Sequence, residues 1–395
     1  MSKRLSLMST CRKLVVVSVI LCCWSQGLYA ATITASPGGS APGTQTLTEA
    51  AAAIAPGDTL ALHPGTYVST TQTSVFGIPS EVVLSLDVSD IVVRPIDGAV
   101  GTVVLAPLPS ERRTLGVLIG ANTQDVTIQG IEIEGADEGL CATGSGRLED
   151  VEIRGGIIGV FLSGASSIRM RACAVSGASE SGVWALGNQA TLEVESGTFE
   201  DTVWYGILVT QGASASVEGA TITNTETGIS MQTTASGRVT RCVIRDTDFG
   251  VESTSGAHVE LTHSTVSGRN QTLAIGEASH MTVDSTEIIG AGGNNVLTIG
   301  VQPSATIRNS TFGGTREFDV RVLAATEPPL RELDFTWNSW GTNDLEEIRA
   351  RILDAVADPS LFLRVNIEPI REDPVSEAAR TFGSMKKRFR ESHEE

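Results

Sequence analysis

The chain has 395 residues, of which 28 are basic and 46 acidic, so its net charge at neutral pH is −18. A surface with this charge repels nucleic acid and anionic membranes, which need basic patches, and it therefore excludes both as partners. It also repels acidic polysaccharides unless a divalent cation bridges the two surfaces.

The first thirty residues have the pattern of a secretory signal peptide. An apolar stretch runs from Leu14 to Cys23, small residues lie near Ala30, and four basic residues precede the stretch. This segment is too short for a membrane span. We therefore predict a signal peptide over 1–30, export to the periplasm, the cell surface or the extracellular medium, and no membrane span. Its removal leaves 24 of the 28 basic residues and all 46 acidic ones, for a net charge of −22.

A short helix is predicted over about 46–54, where Leu47, Ala51 and Ile54 share one face. We expect it to cover the open end of the first coil of the region that follows, because an uncovered strand edge would pair with another chain.

A glycine followed by an apolar residue recurs through the middle of the chain. The intervals between successive glycines are 23, 20, 23, 24, 22 and 22 residues, and degenerate copies follow near Asn295-Val296 and Asp319-Val320. A period of this size is typical of stacked repeats. The seven glycines are Gly116, Gly139, Gly159, Gly182, Gly206, Gly228 and Gly250.

Each period contains three short apolar runs that alternate with period two. After Gly206 they are 207–209, 215–217 and 221–222. Such runs, rich in Val, Ile and Thr and separated by turn residues, are typical of strands. The sequence therefore predicts an all-β fold, a parallel β-helix over 31–335 with three short strands in each coil of about 22 residues. Its stability must come from the stacking of neighbouring coils.

The corners of the coils carry residues that tolerate a left-handed backbone. Four residues before the repeat glycine stand Gly135, Gly155, Asn224 and Asp246. Ala178 and Thr202 interrupt this column, so we expect those coils to turn one residue differently.

A capping segment is predicted over 336–371 and a charged tail over 372–395. Asp344 can begin a helix in which Leu345, Ile348, Ile352 and Val356 follow helical spacing, and Val365-Asn366-Ile367 predicts a last strand.

Two segments carry a resemblance to a known family. Pro56-Gly-Asp-Thr-Leu-Ala-Leu-His-Pro-Gly-Thr-Tyr67 resembles the opening motif of secreted right-handed parallel β-helix proteins of the pectin-lyase-like group. Trp337-Asn-Ser-Trp-Gly-Thr342, with the residues from Ile348 to Ser360, is similar to the closing segment of many bacterial members, and we expect Trp337 and Trp340 in it to be packing residues. The resemblance implies the right-handed fold over roughly 32–370, but it implies no single activity, since the group contains lyases, hydrolases, epimerases, esterases and adhesins.

The catalytic motifs of the group are missing. The chain has no Gly-His-Gly, no Asn-Thr-Asp and no Asp-Pro-His-Asp motif, and after residue 30 its lysines are only Lys386 and Lys387. A lyase that uses a lysine base is therefore disfavoured.

Acidic residues recur two positions before the repeat glycine, and Glu226 and Asp248 become neighbours about 4.8 Å apart when the coils are stacked. Asp246 adds a third carboxylate and Arg245 lies beside it. Glu226, Asp248 and Arg245 are candidates for catalysis, and Glu226, Asp246 and Asp248 for binding Ca²⁺. The alternative is that these are solvated turn carboxylates.

Large apolar residues recur two positions after the glycine. We expect Phe161 and Trp184, flanked by Trp204 and Tyr205, to form an exposed stripe that binds a polysaccharide or cell-surface glycan. The alternative is that a loop, the tail or another subunit covers the stripe.

Two functions of different classes remain open. The first is an exported β-helix scaffold or binding protein without an evident catalytic motif, which binds carbohydrate through its aromatic and acidic edge. The alternative is a polysaccharide-active enzyme, a lyase or a glycoside hydrolase assisted by calcium. Cys141, Cys173 and Cys242 are expected to be buried and unpaired, since Cys173 and Cys242 lie three coils or ~14 Å apart, beyond the ~7 Å limit for a disulfide.

Overall fold

The computed structural model describes residues 30–98, 100–291, 295–315, 318–323 and 330–371. The predicted signal segment, apart from Ala30, and the predicted tail over 372–395 lie outside these residues. Within them, neither helix has the length and apolar character needed to cross a membrane.

Strands make up 57% of the described chain. Two α-helices are present, α1 (Leu47–Ala53) and α2 (Leu345–Ala350), with short 3-10 turns at Pro37–Gly39 and Pro359–Leu361. The strands in chain order are β1 Thr32–Ala35, β2 Thr59–Leu62, β3 Gly65–Tyr67, β4 Thr71–Val75, β5 Ile78–Leu86, β6 Ile91–Pro95, β7 Val103–Leu105, β8 Arg113–Ile119, β9 Val126–Gln129, β10 Glu132–Glu134, β11 Glu138–Ala142, β12 Ser145–Glu149, β13 Glu152–Arg154, β14 Ile158–Ser163, β15 Ser167–Ser176, β16 Ser181–Leu186, β17 Thr191–Glu200, β18 Tyr205–Thr210, β19 Ser214–Thr223, β20 Thr227–Gln232, β21 Ser236–Thr240, β22 Val243–Thr254, β23 His258–Thr262, β24 Thr265–Ile275, β25 His280–Asp284, β26 Glu287–Ala291, β27 Asn295–Ile299, β28 Ser304–Arg308, β29 Thr311–Thr315, β30 Phe318–Val322, β31 Arg331–Asp334, β32 Ile352–Leu353 and β33 Leu363–Asn366.

These strands stack into three parallel ladders that wind through about twelve coils, which confirms the predicted parallel β-helix. Several long strands bend at a corner and contribute to two ladders. Ladder A contains β5, β8, β11, β14, β16, β18, β20, β22, β24, β27, β30 and β32. Ladder B runs from β1 and β2 through β6, β9, β12, β15, β17, β19, β21, β23, β25, β28 and β31 to β33. Ladder C contains β3, β7, β10, β13, β15, β17, β19, β22, β24, β26 and β29. The inward side chains of all three ladders form one continuous apolar core.

The repeat glycine lies in ladder A at a position that the strand pairing skips. Leu115 pairs with Glu138 and Val117 with Leu140, so Gly116 and Gly139 face each other without a pairing of their own. A Cβ at Gly116 would lie 2.2 Å from a methyl group of Ile133 and 2.6 Å from the carbonyl oxygen of Gly139. The glycine period therefore comes from close stacking of the backbone between coils.

The glycine column continues beyond the last glycine. Gly250 is followed by Thr272, then by Val296, then by Asp319. In the degenerate copy predicted near Asn295-Val296, the glycine position is therefore taken by Val296 and not by Asn295. The sequence analysis missed the copy at Thr272, because threonine does not resemble the glycine of the repeat.

The left-handed corners agree with the prediction. Gly135, Gly155, Asn224 and Asp246 have positive φ. In the two exceptional coils the left-handed residue comes one position earlier, at Gly177 and Asp201. These coils therefore turn one residue earlier, as expected.

Each end of the described coils carries a short helix. Thr46 and Glu49 form a reciprocal capping box at the start of α1, and Leu47 and Ala50 are buried. Asp344 caps α2.

The closing segment departs from the prediction in two ways. The α2 helix ends at Ala350, because Ile352 instead enters a strand that pairs with Val320. Trp340 is buried and stacked on Phe312 at a ring distance of 4.2 Å, whereas Trp337 is 52% exposed and does not pack as expected.

Candidate functional site

The outer face of ladder A holds the apolar residues predicted to form an exposed stripe. Phe161 pairs in register with Trp184, and Trp184 with Leu208, so the predicted column is present. Its members are nevertheless largely covered, because Phe161 is only 8% and Leu208 only 6% exposed. Of the alternatives, coverage by a loop is the one found.

The cover is an antiparallel hairpin, β4 and β5, that the sequence did not reveal. Val75 on β4 packs in a small apolar cluster with Leu118, Cys141 and Phe161. This hairpin folds the chain back over the first coils of ladder A. The hairpin therefore covers the stripe at Leu118, Cys141 and Phe161.

The hairpin turn exposes another aromatic ring. Val75 pairs with Ile78, so Phe76 and Gly77 form the two-residue turn, and both have positive φ, 55° and 78°. Such turns favour Asn-Gly, and a left-handed backbone costs a bulky residue about 1–2 kcal/mol. Phe76 is 52% exposed despite this cost.

Phe76, Phe161 and Trp184 form what we call the aromatic row. The ring centroids of Phe76 and Phe161 lie 5.9 Å apart at an interplanar angle of 90°, and those of Phe161 and Trp184 lie 5.6 Å apart at 75°. Edge-to-face pairs of this kind stabilise by about 0.5–1.5 kcal/mol each. The row runs from solvent at Phe76 to the half-buried Trp184, whose indole N–H makes no hydrogen bond within the described chain.

A cavity of about 630 Å³ opens between the hairpin turn and the loops that follow four ladder A strands, β5, β8, β11 and β14. We call it the hairpin cavity. Its volume is within the range of small-molecule sites. The lining consists of Thr73, Ser74, Val75, Phe76, Asp87, Leu118, Gly120, Ala121, Asn122, Thr123, Gln124, Thr143, Gly144, Ser145, Ser163, Gly164 and Ala165.

Asp87 is the charged residue in this lining. Ser85 Oγ donates to Asp87 Oδ2 at 3.1 Å. A Cβ at Gly120 would lie 2.2 Å from Asp87 Oδ1, so glycine at this position leaves the space that the carboxylate occupies. The wall thus offers one carboxylate and several hydroxyl and amide groups opposite an aromatic ring.

Trp204 and Tyr205 lie one coil beyond Trp184, at the start of β18. Trp204 is 50% exposed and Tyr205 is half-buried. Tyr205 pairs with Ser181 and Thr227, three residues before the apolar column. The structure therefore brings Phe161 and Trp184 into contact and leaves Trp204 and Tyr205 beside them on the same face.

Glu226 and Asp248 are neighbours on adjacent coils, as the stacking predicts. The backbone N–H groups of Asp248 and Phe249 donate to the carbonyl oxygen of Glu226 at 2.9 and 2.8 Å. Asp248 Oδ1 accepts a hydrogen bond from Arg269 Nε at 2.9 Å. The two carboxyl residues and Arg269 line a shallow depression of about 380 Å³.

Asp246 and Arg245 are not brought into this depression. They form an exposed ion pair of 2.8 Å with each other, at the corner that leads out of ladder C. Among the described residues, no three His, Cys, Asp or Glu side chains are grouped so that they could hold a metal ion. The predicted calcium set of Glu226, Asp246 and Asp248 is therefore split, because Asp246 pairs with Arg245 and Asp248 with Arg269.

Glu252 is a carboxylate that the sequence did not single out as a site. It lies next to Ser230 in the column of Phe161 and Trp184, and Ser230 Oγ donates to its carboxylate at 3.2 Å. Burial raises the pKa of Glu252, and the negative charge of Glu226 adds to the rise. Glu252 lies two residues after the repeat glycine Gly250, and this position could have predicted its place in the column.

Two imidazoles meet on ladder B. His258 and His280 are paired in register and their rings are stacked, with centroids 4.5 Å apart and planes within 2°. The two histidines are 22 residues apart in the sequence, which is the length of one coil, and this spacing could have predicted their pairing.

Comparisons with known proteins agree with this architecture. The family model for a right-handed β-helix region matches residues 205–322, and the model for the periplasmic copper-binding protein NosD matches residues 102–258. The chain has the fold of a right-handed parallel β-helix. No curated protein sequence gives a significant match to this β-helix.

Solved structures give the same fold at low identity. The A-module of a mannuronan C-5 epimerase from Azotobacter vinelandii has a TM-score of 0.54 and 14% sequence identity, and the match covers 81% of this chain and 93% of that chain. A rhamnogalacturonan lyase has a TM-score of 0.52 and 14% sequence identity, and the match covers 80% of this chain and 89% of that chain. An alginate lyase from Paenibacillus sp. str. FPU-7 has a TM-score of 0.51 and 15% sequence identity, and the match covers 68% of this chain and 97% of that chain. At these identities the likeness shows the fold alone.

Proposed function

We propose that this β-helix is an exported protein that binds neutral glycans, with the hairpin cavity and the outer face of ladder A as the binding surface. The observation that carries the proposal is the aromatic row beside the cavity. Phe76 is held half-exposed in a left-handed turn and is supported from behind by Phe161. A strained residue that presents a large ring to solvent indicates a binding role.

The chemistry of the cavity suits a sugar ring. Sugars present apolar C–H faces, which pack on aromatic rings, and hydroxyl groups, which bond to polar side chains. Phe76 supplies the first surface, and Asp87, Asn122 and Thr143 supply partners for the second. Trp204 and Tyr205 extend the aromatic surface along the coils.

The charge pattern favours a neutral ligand. Asp87 gives the cavity lining a carboxylate, and the lining contains no basic side chain. The polysaccharides named for the three similar structures contain uronic acids, whose carboxylates would face this aspartate without a compensating cation. We therefore expect hexoses, deoxyhexoses or N-acetylated sugars rather than uronates.

A glycan array probed with the purified protein tests the proposal. Neutral glycans should give signals, and Phe76→Ala should weaken binding about tenfold, which corresponds to about 1.4 kcal/mol. Trp204→Ala should weaken binding of longer glycans. Trp337→Ala is the matched control, because Trp337 is 52% exposed but lies at the other end of the helix. Absence of any glycan signal, or equal effects of Phe76→Ala and Trp337→Ala, would contradict the proposal.

Glu252 favours a second candidate function, a polysaccharide-active enzyme. A carboxyl group with a raised pKa beside a second carboxylate can act as a general acid. Arg245 and Asp248, both engaged in ion pairs, are weaker candidates than Glu252 and Glu226. Release of reducing ends or of unsaturated products from the bound glycan would support this candidate. Glu252→Gln should then abolish turnover and leave binding intact.

Copper is named in the description of one matched family, but the donors in the described chain do not fit a copper centre of three or more ligands. Cys141, Cys173 and Cys242 are buried and free. The Sγ atoms of Cys173 and Cys242 donate to backbone carbonyl oxygens instead. The proposed glycan binding therefore involves no copper.

A further inference from the structure

Trp204 lies at the edge of ladder A that is opposite to the hairpin cavity. It immediately precedes β18, whereas the loops that line the cavity follow the ladder A strands. A strand such as β14 has 6 residues, so at ~3.3 Å per residue the two edges are roughly 20 Å apart. Ligand binding at Trp204 can therefore be tested separately from binding in the cavity.

Two glutamates flank Trp204 on the neighbouring coils. Tyr205 pairs with one residue on each of these coils, and the residues immediately before these three are Glu180, Trp204 and Glu226. The backbone N–H of Trp204 donates to the carbonyl oxygen of Glu180 at 3.2 Å, which agrees with this order. Because neighbouring coils are about 4.8 Å apart, the indole has one glutamate beside it on each side.

Neither glutamate is neutralised by a neighbour. Within the described chain, the side chains of Glu180 and Glu226 form no ion pair and no hydrogen bond. Asp248, the next carboxylate along this edge, takes up the charge of Arg269. Outward carboxylates of ladder B are instead paired with arginines, at Glu195, Glu218 and Glu260. The exposed indole between two free carboxylates therefore favours a positively charged ligand.

The depression beside Trp204 has room for a sugar ring. Its volume of about 380 Å³ is within the range of small-molecule sites. Val203, which is 56% exposed, gives its lining an apolar surface next to the indole. Thr225 in the same lining is 2% exposed, and its hydroxyl has no hydrogen-bond partner within the described chain. A ligand hydroxyl in the depression would supply the partner that this buried group lacks.

We propose that Glu180, Trp204, Glu226 and the adjoining depression, which we call the Trp204 edge, form a subsite for an amino sugar that carries a free ammonium group. The apolar C–H face of the sugar packs on the indole. Its ammonium group is bonded directly to the same ring and can reach the carboxylates on the neighbouring coils. The ammonium gains a cation–π attraction to the indole and charge-assisted hydrogen bonds to the glutamates.

The amino sugar is favoured over the side chain of a protein partner. A lysine carries its charge on a long flexible stem and lacks a ring that would fill the depression. N-acetylation of the sugar removes the charge, and with it the attraction to both glutamates. The subsite rests on the proposed glycan binding for its class of ligand, but it uses the edge of ladder A away from the hairpin cavity.

The charge of the whole protein acts in the same direction. The full chain has a net charge of −18, and a field of this sign attracts cationic oligomers from solution. Salt screens interactions between exposed charges. Binding at the Trp204 edge should therefore weaken as the salt concentration rises.

Calorimetric titration with two matched oligomers tests the subsite. One is a short oligomer of glucosamine, and the other is the same oligomer with every amine acetylated. At mildly acidic pH, where the amines are protonated, the wild type should bind the amine oligomer at least about tenfold more tightly. Glu180→Gln combined with Glu226→Gln should remove this preference. Trp204→Ala should weaken binding of the amine oligomer at least about tenfold.

Matched controls separate the subsite from general effects of charge and exposed rings. Glu277→Gln combined with Glu346→Gln also removes two negative charges, from exposed positions away from the edge, and should keep the preference. Trp337→Ala removes an indole that is 52% exposed, against 50% for Trp204, and should leave the affinity unchanged. Thermal melting verifies that the variants fold.

Equal affinity of the wild type for the two oligomers, or an unchanged preference in the Glu180→Gln, Glu226→Gln variant, overturns the proposal. A lysine oligomer is the third probe, and binding as tight as that of the glucosamine oligomer would show that the edge recognises charge alone, which also overturns it. Phe76-dependent binding of the acetylated oligomer without a preference for the amine refutes only this subsite. Trp204-dependent binding of the amine oligomer without binding of any neutral glycan refutes only the hairpin cavity.

Discussion

Gly206 and Gly228 approach so closely on neighbouring coils that a Cβ on Gly206 would lie 2.7 Å from the carbonyl oxygen of Gly228. The same Cβ would lie 2.5 Å from a methyl group of Ile222 in the core. The backbone of Gly206 is not left-handed, so the requirement for glycine is one of space. A side chain here would have to push two coils apart.

We therefore expect Gly206→Ala to destabilise the protein by about 1–3 kcal/mol, the usual cost of overpacking. Urea unfolding of the variant should show a lower midpoint with an unchanged slope. Gly313→Ala is the control, because no atom lies within 4 Å of a Cβ at Gly313. Equal midpoints for the two variants would show that the coils move apart at little cost.

Phe76→Asn should separate stability from binding. Asparagine suits the left-handed first position of the turn and relieves about 1–2 kcal/mol. The lost contact with Phe161 removes about 0.5–1.5 kcal/mol. We expect melting temperatures within a few degrees of wild type and glycan binding about tenfold weaker. Unchanged binding would show that the Phe76 ring only covers the stripe.

Glu252 makes the stability of the folded protein depend on pH. Its folded-state pKa is raised above the ordinary value of 4.5, so the folded state binds this proton more tightly than the unfolded state. The resulting stabilisation is complete below the unfolded pKa and is lost as the pH rises through the folded pKa. Glu252→Gln should therefore raise the melting temperature at pH 7.5, and the gain should shrink at pH 4. Glu277→Gln, at an exposed position, should show no such trend.

The repeat made most of the fold predictable. A glycine every 20–24 residues gave the coil length, and the residues four before it gave the left-handed corners at Asn224 and Asp246. These features are local to one coil or repeat from coil to coil. Stacking then placed Glu226 beside Asp248 and Phe161 beside Trp184, as the structure has them.

The site was less predictable because it depends on the hairpin, which does not repeat. The covering of Phe161 by Val75 and Phe76 joins residues more than eighty positions apart, without a period to indicate it. Ion pairing by Arg269 likewise depends on side-chain reach across a coil, so the sequence could not show that Asp248 and Asp246 would have different partners.

The three thiols should be unreactive towards alkylating reagents in the folded protein. Burial raises the pKa of Cys141, Cys173 and Cys242, which removes the reactive thiolate. We expect their alkylation by iodoacetamide at pH 8, followed by peptide mass spectrometry, to be far slower than that of glutathione and to become rapid in denaturant. Fast modification of any of them in the native protein would show that its coil opens.

Asn338 should hold the closing segment on the last coils. It is fully buried, its Nδ2 donates to the carbonyl oxygens of Ile307 and Phe335 at 2.7 and 2.8 Å, and its Oδ1 accepts from the backbone N–H of Ser310 at 2.8 Å. Asn338→Ala leaves these buried groups without partners, at about 1–3 kcal/mol for each group that water cannot reach. We expect the free energy of unfolding of this variant to fall by at least about 2 kcal/mol.

The loss should be local, because a coil contacts only its neighbours. Hydrogen exchange should accelerate in β28 and β31 and remain slow in β18 of the Asn338→Ala variant. Asn366→Ala is the control, since its side chain accepts a single long bond of 3.4 Å from the backbone of Glu368. Uniform acceleration along the whole helix would mean instead that the end cap and the central coils unfold as one cooperative unit.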